Sequence, residues 1–282
     1  MLKIRNSSLS DFLRCRKKYI LGLEWETIEE EKSPALIIGT AYHKCMEKWD
    51  LFPNKDIAIA EGLMTVPEDV ETREEILETS YACMELGIQY NIDNPQETAS
   101  TETEFEAPLI PGVVVAGRID ALIENEGKFW IKERKTSGTT EEKFFKPYLM
   151  DKQSFVYIFG GEQVFGHEIM GVCVEVVFKP TSKKKGEVQR QYFSEEYSKE
   201  KRKKWLDEVM EMAMDMVKAH EEDNMYRSFI CEGKYGYCGF WDYCTSGENI
   251  NVFESTHVRK ERKAGIFNKK KGGDKNGRRK NT

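Results

Sequence analysis

Three short segments between residues 101 and 136 constrain the fold of this chain more than any other part of the sequence. They are TETEFEAPL, VVVAGRIDALIE and KFWIKERKT. Each is rich in valine, isoleucine, threonine or aromatic residues, which favour strands. The turn Asn125-Glu126-Gly127 separates the last two, and this spacing predicts a β-hairpin. The chain is therefore expected to fold around a sheet that contains this hairpin.

Helical patterns stand before the hairpin. Ser8, with Asp11 three residues later, predicts a helix that begins with Ser8 as its N-cap. A second helix is expected at residues 35–51. The acidic stretch 67–90 fits a third helix that is largely exposed.

A second group of elements follows the hairpin. We expect a helix at residues 141–159, then the strands HEIMGVCVEVVFKP and EVQRQYF across the turn SKKKG, then a long charged helix at 195–222. The order of helices, strands, helix, strands and helix predicts an α/β fold with a mixed sheet.

Composition is that of an ordinary globular protein. At 282 residues with 39% hydrophobic residues, the chain can build a substantial core. No run approaches the roughly 20 apolar residues of a membrane helix, and the start MLKIRNSSLSDF is polar, unlike a signal peptide. We expect a cytoplasmic protein without a membrane partner, from a bacterium or a phage-infected host.

Charge is distributed unevenly along the chain. Residues 258–282 contain eleven lysines and arginines against two acids, so they carry +9 and leave -15 for the rest of a chain whose net charge is -6. The last segment, IFNKKKGGDKNGRRKNT, contains almost no apolar residues, which predicts a disordered tail. Such a tail either contacts DNA phosphates or only keeps the chain soluble.

Two carboxylates and a lysine occur on the hairpin strands. Asp120 lies in the first strand, and Glu133 and Lys135 lie on one face of the second, because side chains alternate along a strand. Carboxylates bind Mg²⁺ or Mn²⁺, which lowers the pKa of an attacking water, and a lysine orients or deprotonates that water or stabilises charge on a phosphate. The spacing alone also fits a solvated hairpin face.

Other polar residues occur at spacings that fit the same site. His43, in Gly39-Thr-Ala-Tyr-His43, is either a nitrogen ligand of that metal or a packed core histidine. Gln153 and Tyr157 are four apart on one helix face. They either support the site or form an ordinary half-buried pair.

The ordered set GxxxH, GxxD, ExK and QxxxY resembles the RecB-type nuclease branch of the PD-(D/E)XK superfamily, which includes helicase-linked, CRISPR-associated and many phage nucleases. The resemblance runs from Ser8 to Cys244. It implies a restriction-endonuclease-like core, a mixed β-sheet flanked by helices. The metal ligands would be His43, Asp120 and Glu133, the catalytic lysine Lys135, and the assisting residues Gln153 and Tyr157. Glu104, in the strand before Asp120, is a further possible member, and Ile119 replaces the usual proline.

The resemblance also implies a domain layout. One nuclease domain would span residues 1–257, with a helical region at about 35–95, the sheet core at about 100–195, and the long helix with the cysteine region at about 196–250. Residues 258–282 would form the basic tail.

Three cysteines, Cys231, Cys238 and Cys244, fall within fourteen residues. Soft thiolate ligands at this density call for a fourth. Cys15 is the candidate because an N-terminal cysteine joined to a C-terminal trio resembles the iron-sulfur members of this family. A [4Fe-4S] cluster is then implied, although the spacing departs from the commoner trio. A Zn²⁺ ion and unconnected thiols stay open.

Taken together, these features predict a metal-dependent DNA nuclease. It would act on single strands or ends as an exonuclease in recombination, repair or replication, with a helicase or recombination protein as a partner. Two alternatives are a non-catalytic DNA-binding or scaffold module with the same fold and a zinc-stabilised module that binds RNA or protein.

Overall fold

The computed structural model describes residues 1–27, 33–148, 152–180, 185–222, 224–228, 231–233, 236–255 and 257–260. The tail predicted at 258–282 lies outside these residues from position 261 onward. Its first residues differ from the prediction, because Val258 and Arg259 belong to a strand.

Strands and helices alternate in groups along the chain. The strands are β1 (Leu2–Ile4), β2 (Trp25–Thr27), β3 (Glu97–Ile110), β4 (Val113–Asn125), β5 (Lys128–Ser137), β6 (Ile169–Phe178), β7 (Glu187–Phe193), β8 (Glu232–Gly233), β9 (Gly236–Tyr237) and β10 (His257–Arg259). The helices are α1 (Asn6–Arg14), α2 (Arg16–Glu24), α3 (Pro34–Leu51), α4 (Lys55–Leu63), α5 (Arg73–Asp93), α6 (Glu141–Tyr148), α7 (Lys152–Phe165), α8 (Lys199–Glu221), α9 (Trp241–Thr245) and α10 (Ile250–Glu254).

A mixed sheet forms the centre of the fold. Its order is β1-β4-β5-β6-β7, with β3 paired to β4. The pairs β1 with β4 and β5 with β6 are parallel, whereas the other neighbours are antiparallel. Helices pack on the sheet, so the predicted α/β fold with a restriction-endonuclease-like mixed sheet is confirmed.

The two strands of the predicted hairpin separate part way along their length. β4 and β5 pair from Asn125 opposite Lys128 to Ala121 opposite Lys132. Beyond Lys132, β5 continues beside β6 as far as Ser137, while β4 continues beside β3. The sheet therefore opens into a fork, and Asp120 and Glu133 are the first residues past the last pair.

Hydrophobic clusters cover both faces of the sheet. Val176 belongs to a cluster that includes side chains of α1, α7 and α8, whereas Val177 packs with α3, α4 and α5. Because neighbouring strand residues point to opposite faces, these two clusters lie on opposite sides of the sheet. The fork thus lies between two helical layers.

Several helix predictions need correction. The first helix begins at Asn6, and the Ser8 hydroxyl accepts the N–H of Arg5 from inside the first turn, so Ser8 is not the N-cap. The third helix buries one face through residues such as Met84 and Ile88. Helix α4 was not predicted. The helix expected at 141–159 is replaced by α6 and α7, and residues 149–151 lie outside the described part.

A buried ion network joins β5 and β6 to the helices on one face. Glu175 Oε2 lies 3.0 Å from Lys132 Nζ and 2.6 Å from an Arg190 terminal nitrogen. Arg134 makes two hydrogen bonds to Asp50 of α3, at 2.7 and 2.8 Å. Burial alone would raise the pKa of Glu175, but the cations Lys132, Arg134 and Arg190 outweigh it and hold that pKa at about 2.

We expect the substitution Glu175→Gln to lower the free energy of unfolding by about 3 kcal/mol at neutral pH, because it leaves buried cations without their carboxylate. The depressed pKa means that this contribution is present above pH 4.5 and is lost as the pH falls toward 2. The deficit of the variant should therefore shrink over that range. Urea denaturation at several pH values measures both effects.

Glu187→Gln removes an exposed carboxylate from β7 and is the matched control, with an expected change within about 0.5 kcal/mol. Equal stability of Glu175→Gln and the wild type at neutral pH would show that the network does not stabilise the fold.

Candidate metal and catalytic site

The fork in the sheet determines where Asp120 lies. Its Oδ2 accepts a hydrogen bond of 2.9 Å from the backbone N–H of Arg134. Along the paired part of the hairpin, this edge of β5 bonds to the backbone of β4. Past the fork the N–H still requires an acceptor, and the Asp120 carboxylate replaces the backbone carbonyl. One oxygen of the carboxylate is thereby fixed against β5.

Helix α3 brings a histidine to the same carboxylate. His43 Nδ1 lies 3.6 Å from Asp120 Oδ2. Burial lowers the pKa of His43, and the nearby carboxylate of Asp120 only partly opposes this effect. The imidazole is therefore neutral at neutral pH, which is the form that binds metals.

A third candidate ligand, Glu102, comes from β3. Ligand atoms of His43, Glu102 and Asp120 all lie within 4.8 Å of one another. Burial and then the neighbouring Asp120 charge raise the pKa of Glu102 to about 7. A divalent cation would offset this repulsion, and one nitrogen with two carboxylates suits Mg²⁺ or Mn²⁺. Among the residues that the structure describes, no other three acidic, histidine or cysteine side chains bring their ligand atoms within 4.8 Å of one another.

Glu133 and Lys135 form the other half of the site. Lys135 Nζ lies 2.5 Å from Glu133 Oε1, and Glu133 is almost fully buried whereas Lys135 is one third exposed. Burial would lower the pKa of Lys135, but the carboxylates of Glu133 and Asp120 outweigh it and raise that pKa. The side chain of Lys135 is therefore positively charged at neutral pH, and this charge lies at the fork.

Helix α7 supports this pair. Gln153 Nε2 donates to Glu133 Oε1 at 3.2 Å and to the Tyr157 hydroxyl at 2.6 Å. Gln153 and Tyr157 are one helical turn apart, which allows both to face the site. Burial, followed by the charges of Glu133 and Asp120, raises the pKa of Tyr157 to about 12, so its hydroxyl stays protonated.

The sequence-predicted residues are thus brought to one place, with two differences. The carboxylate of Glu133 bonds to Lys135 and Gln153 and does not belong to the group formed by His43, Glu102 and Asp120. Glu104 is exposed and is also outside that group.

Glu102 was missed in the sequence. Strand register contains the signal that identifies it, because Thr101 pairs with Ala121 and Thr103 with Ile119. Position 102 therefore lies opposite Asp120. Residue composition does not reveal this pairing, since several acids occur within β3.

The four predicted cysteines come together elsewhere in the molecule. Cys15, Cys231, Cys238 and Cys244 line one small cavity. Cys15 lies at the break between α1 and α2, and its Sγ accepts the N–H groups of Lys18 and Ser228, each at 3.4 Å. Two backbone N–H groups therefore donate to this sulfur, and such donors would stabilise the thiolate form in which a cysteine binds a metal.

Contacts around this cavity join the two ends of the chain. Lys17 Nζ lies 2.9 Å from Glu248 Oε2, and the Lys17 N–H donates to the Tyr226 carbonyl at 3.2 Å. β2 and β10 pair as an antiparallel ribbon. The N-terminal helices and the C-terminal segment thus meet at the cysteines.

Within the described ranges, the helices are all too short or too polar to cross a membrane.

Comparison with known proteins points to one family. The model of a family described as the PD-(D/E)XK nuclease superfamily matches residues 6–245. A candidate exonuclease from Eubacterium rectale is similar in structure, with a TM-score of 0.54 and 14% identity over 86% of this chain and 87% of that chain. The structure of LHK-Exo in complex with dAMP has a TM-score of 0.31 and 11% identity over 70% of this chain and 98% of that chain. A search of curated proteins found no match.

We expect Mn²⁺ at one hundred times its dissociation constant to stabilise the wild type by about 2.7 kcal/mol, which raises the melting temperature by roughly 5 °C for a chain of this size. Glu102→Gln removes one negatively charged ligand and should abolish most of this shift. Differential scanning fluorimetry with and without Mn²⁺ measures it.

Glu104→Gln is the matched control, because it makes the same change on the same strand two residues away and should keep the full shift. If Glu104→Gln lost the shift and Glu102→Gln kept it, the assignment of the group would be wrong.

Proposed function

This chain belongs to the PD-(D/E)XK nuclease superfamily, and we propose that it is a metal-dependent deoxyribonuclease of the RecB-type branch. The observation that carries the proposal is the meeting of His43, Glu102 and Asp120 within 4.8 Å at the fork where Lys135 is held by Glu133. A cation site beside a positively charged lysine suits the hydrolysis of a phosphodiester.

In this proposal, His43, Glu102, Asp120 and Glu133 hold Mg²⁺ or Mn²⁺. The bound cation would offset the charge of the phosphate and lower the pKa of the attacking water. Glu133 has a second task, since its Oε1 holds Lys135 in place. Asp120 in turn is oriented by the Arg134 N–H, so the ligand does not depend on the cation for its position.

Lys135 acts as a cation in the proposed reaction. Because the carboxylates beside it raise its pKa, it remains protonated and is a poor base at neutral pH. We assign it the task of stabilising negative charge on the phosphate in the transition state, and of orienting water by hydrogen bonding. The Gln153 amide, which donates to both the Tyr157 hydroxyl and the Glu133 carboxylate, holds Glu133 in position beside Lys135.

We propose that the substrate is DNA, either single-stranded or bound at an end, and that the enzyme is an exonuclease. The similar fold of the Eubacterium rectale candidate exonuclease supports this choice. The proposed setting is recombination, repair or replication in a bacterium or phage, with a helicase or recombination protein as the partner.

One nuclease domain at residues 1–257 accounts for the family match at 6–245.

We also propose that Cys15, Cys231, Cys238 and Cys244 hold a [4Fe-4S] cluster. The four side chains line one small cavity, and thiolate ligands around a shared site suit an iron-sulfur cluster, in which each sulfur binds a different iron. A tetrahedral zinc site with four cysteine ligands is the alternative. The cluster would fasten the two chain ends together.

Lys135→Ala should lower the rate of DNA cleavage at least about one hundredfold, because it removes a preorganised cation from the reacting phosphate. End-labelled linear and circular single-stranded DNA with Mg²⁺ or Mn²⁺ are the substrates, and product lengths distinguish exonuclease from endonuclease cleavage.

Lys128→Ala removes an exposed lysine at the far end of the same strand and should cleave as the wild type does. Undiminished cleavage by Lys135→Ala would exclude the assigned site, and cleavage of circles would exclude a strict exonuclease.

Cys238→Ala should lose most of the iron and acid-labile sulfide that anaerobically purified wild type contains, about four of each per chain. We also expect a lower melting temperature, since the chain ends are no longer joined. Cys83→Ala changes a buried cysteine remote from the cavity and should retain the iron. One zinc per chain without labile sulfide in the wild type would contradict the cluster.

A further inference from the structure

An exposed arginine stands beside the metal-site group. Arg118 precedes Asp120 by two residues on β4, and the side chains of both residues approach the carboxylate of Glu102. The Arg118 side chain is 62% exposed, and its Nε lies 2.8 Å from Glu102 Oε2. A fixed positive charge therefore lies about 6.8 Å along the strand from Asp120, on the solvent side of the group.

Two lysines of α3, the helix that carries His43, form ion pairs with neighbouring acids. Lys44 pairs with Glu47 at 2.9 Å and Lys48 with Glu61 at 3.7 Å. The ion pair described for Arg118 uses only Nε. A guanidinium has five N–H donors in a planar fork, and its terminal nitrogens are suited to two oxygens of one phosphate.

Glu102 connects this arginine to the metal site. Its carboxylate belongs to the group with His43 and Asp120 and also pairs with Arg118. The backbone of Glu102 has a φ of +46°, in the left-handed region that non-glycine residues rarely adopt. Such strain is retained where the surroundings hold a residue in a required position. Glu102 is thus fixed between Asp120 and Arg118.

Metal binding changes the charge balance around Arg118. In the absence of a cation, the Glu102 carboxylate compensates the guanidinium to the extent that it is ionised. Once a divalent cation takes up that negative charge, Arg118 becomes a net positive group facing solvent, and anions are attracted to it. The neighbouring backbone phosphate of a strand bound at the metal is the anion at the right distance.

We infer that Arg118 binds the DNA phosphate next to the scissile one and that Glu102 couples this contact to the metal. The inference rests on the proposed function and deepens it, because it assigns a substrate contact that the metal-site motif does not contain. By linkage, metal and DNA should each strengthen the binding of the other.

Fluorescence anisotropy with a labelled single-stranded DNA, in Ca²⁺ and at several salt concentrations, tests the inference without requiring cleavage. Arg118→Ala should bind about tenfold more weakly. Its slope of log affinity against log salt should be shallower by about 0.7, the value for one lost phosphate contact on a single strand. Arg118→Lys should keep the slope and lose part of the affinity, because it keeps the charge but not the planar fork.

Lys128→Ala is the control for simple loss of positive charge and should leave the slope unchanged. A Mn²⁺ titration by thermal shift forms the second arm, in which Arg118→Ala should bind Mn²⁺ within about twofold of the wild type. A weakened Mn²⁺ midpoint with an unchanged salt slope would overturn the inference and leave Arg118 as a residue that only orients Glu102.

The two proposals fail in different ways. If the wild type cleaves DNA and Arg118→Ala has the same salt slope, the phosphate contact is refuted while the nuclease stands. If the wild type cleaves nothing but the slope still changes, the contact is supported and the nuclease assignment falls.

Discussion

Arg134 connects the helix and the two strands that form the site. Its guanidinium makes two hydrogen bonds to Asp50 on α3, the helix that also carries His43, and its backbone N–H fixes Asp120. Its chain neighbours are Glu133 and Lys135. A buried pair of this kind contributes more to fixing a geometry than to net stability. Through this one residue, a helix and two strands acquire a defined separation at the fork.

The fork exists because β5 exchanges partners. It pairs with β4 as far as Lys132 and then only with β6, so the sheet gains a cleft without losing its central strand. Buried cations on one face, Lys132 and Arg134, are balanced by Glu175 and Asp50. At the fork, the exposed Arg118 beside Glu102 does not outweigh burial and the Asp120 charge, as the raised pKa of Glu102 shows. A divalent cation would supply the missing positive charge.

The sheet, the hairpin and most site residues could be predicted from the sequence because they follow from local patterns. Alternation along β5 places Glu133 and Lys135 on one face, and helical spacing does the same for Gln153 and Tyr157. Ile119 and Leu122, three residues apart, nevertheless pack in one core cluster, so alternation fails around Asp120. The exclusion of Glu133 from the group and the inclusion of Glu102 depend on that irregularity and on β3 register, which are tertiary properties.

Anomalous diffraction from crystals grown with Mn²⁺ tests the central claim most directly. The account predicts a manganese peak at the fork, bonded to His43, Glu102 and Asp120 and also to Glu133, with Lys135 on the side where a phosphate would bind. A fully occupied manganese peak elsewhere, or none at this group at saturating Mn²⁺, would contradict it.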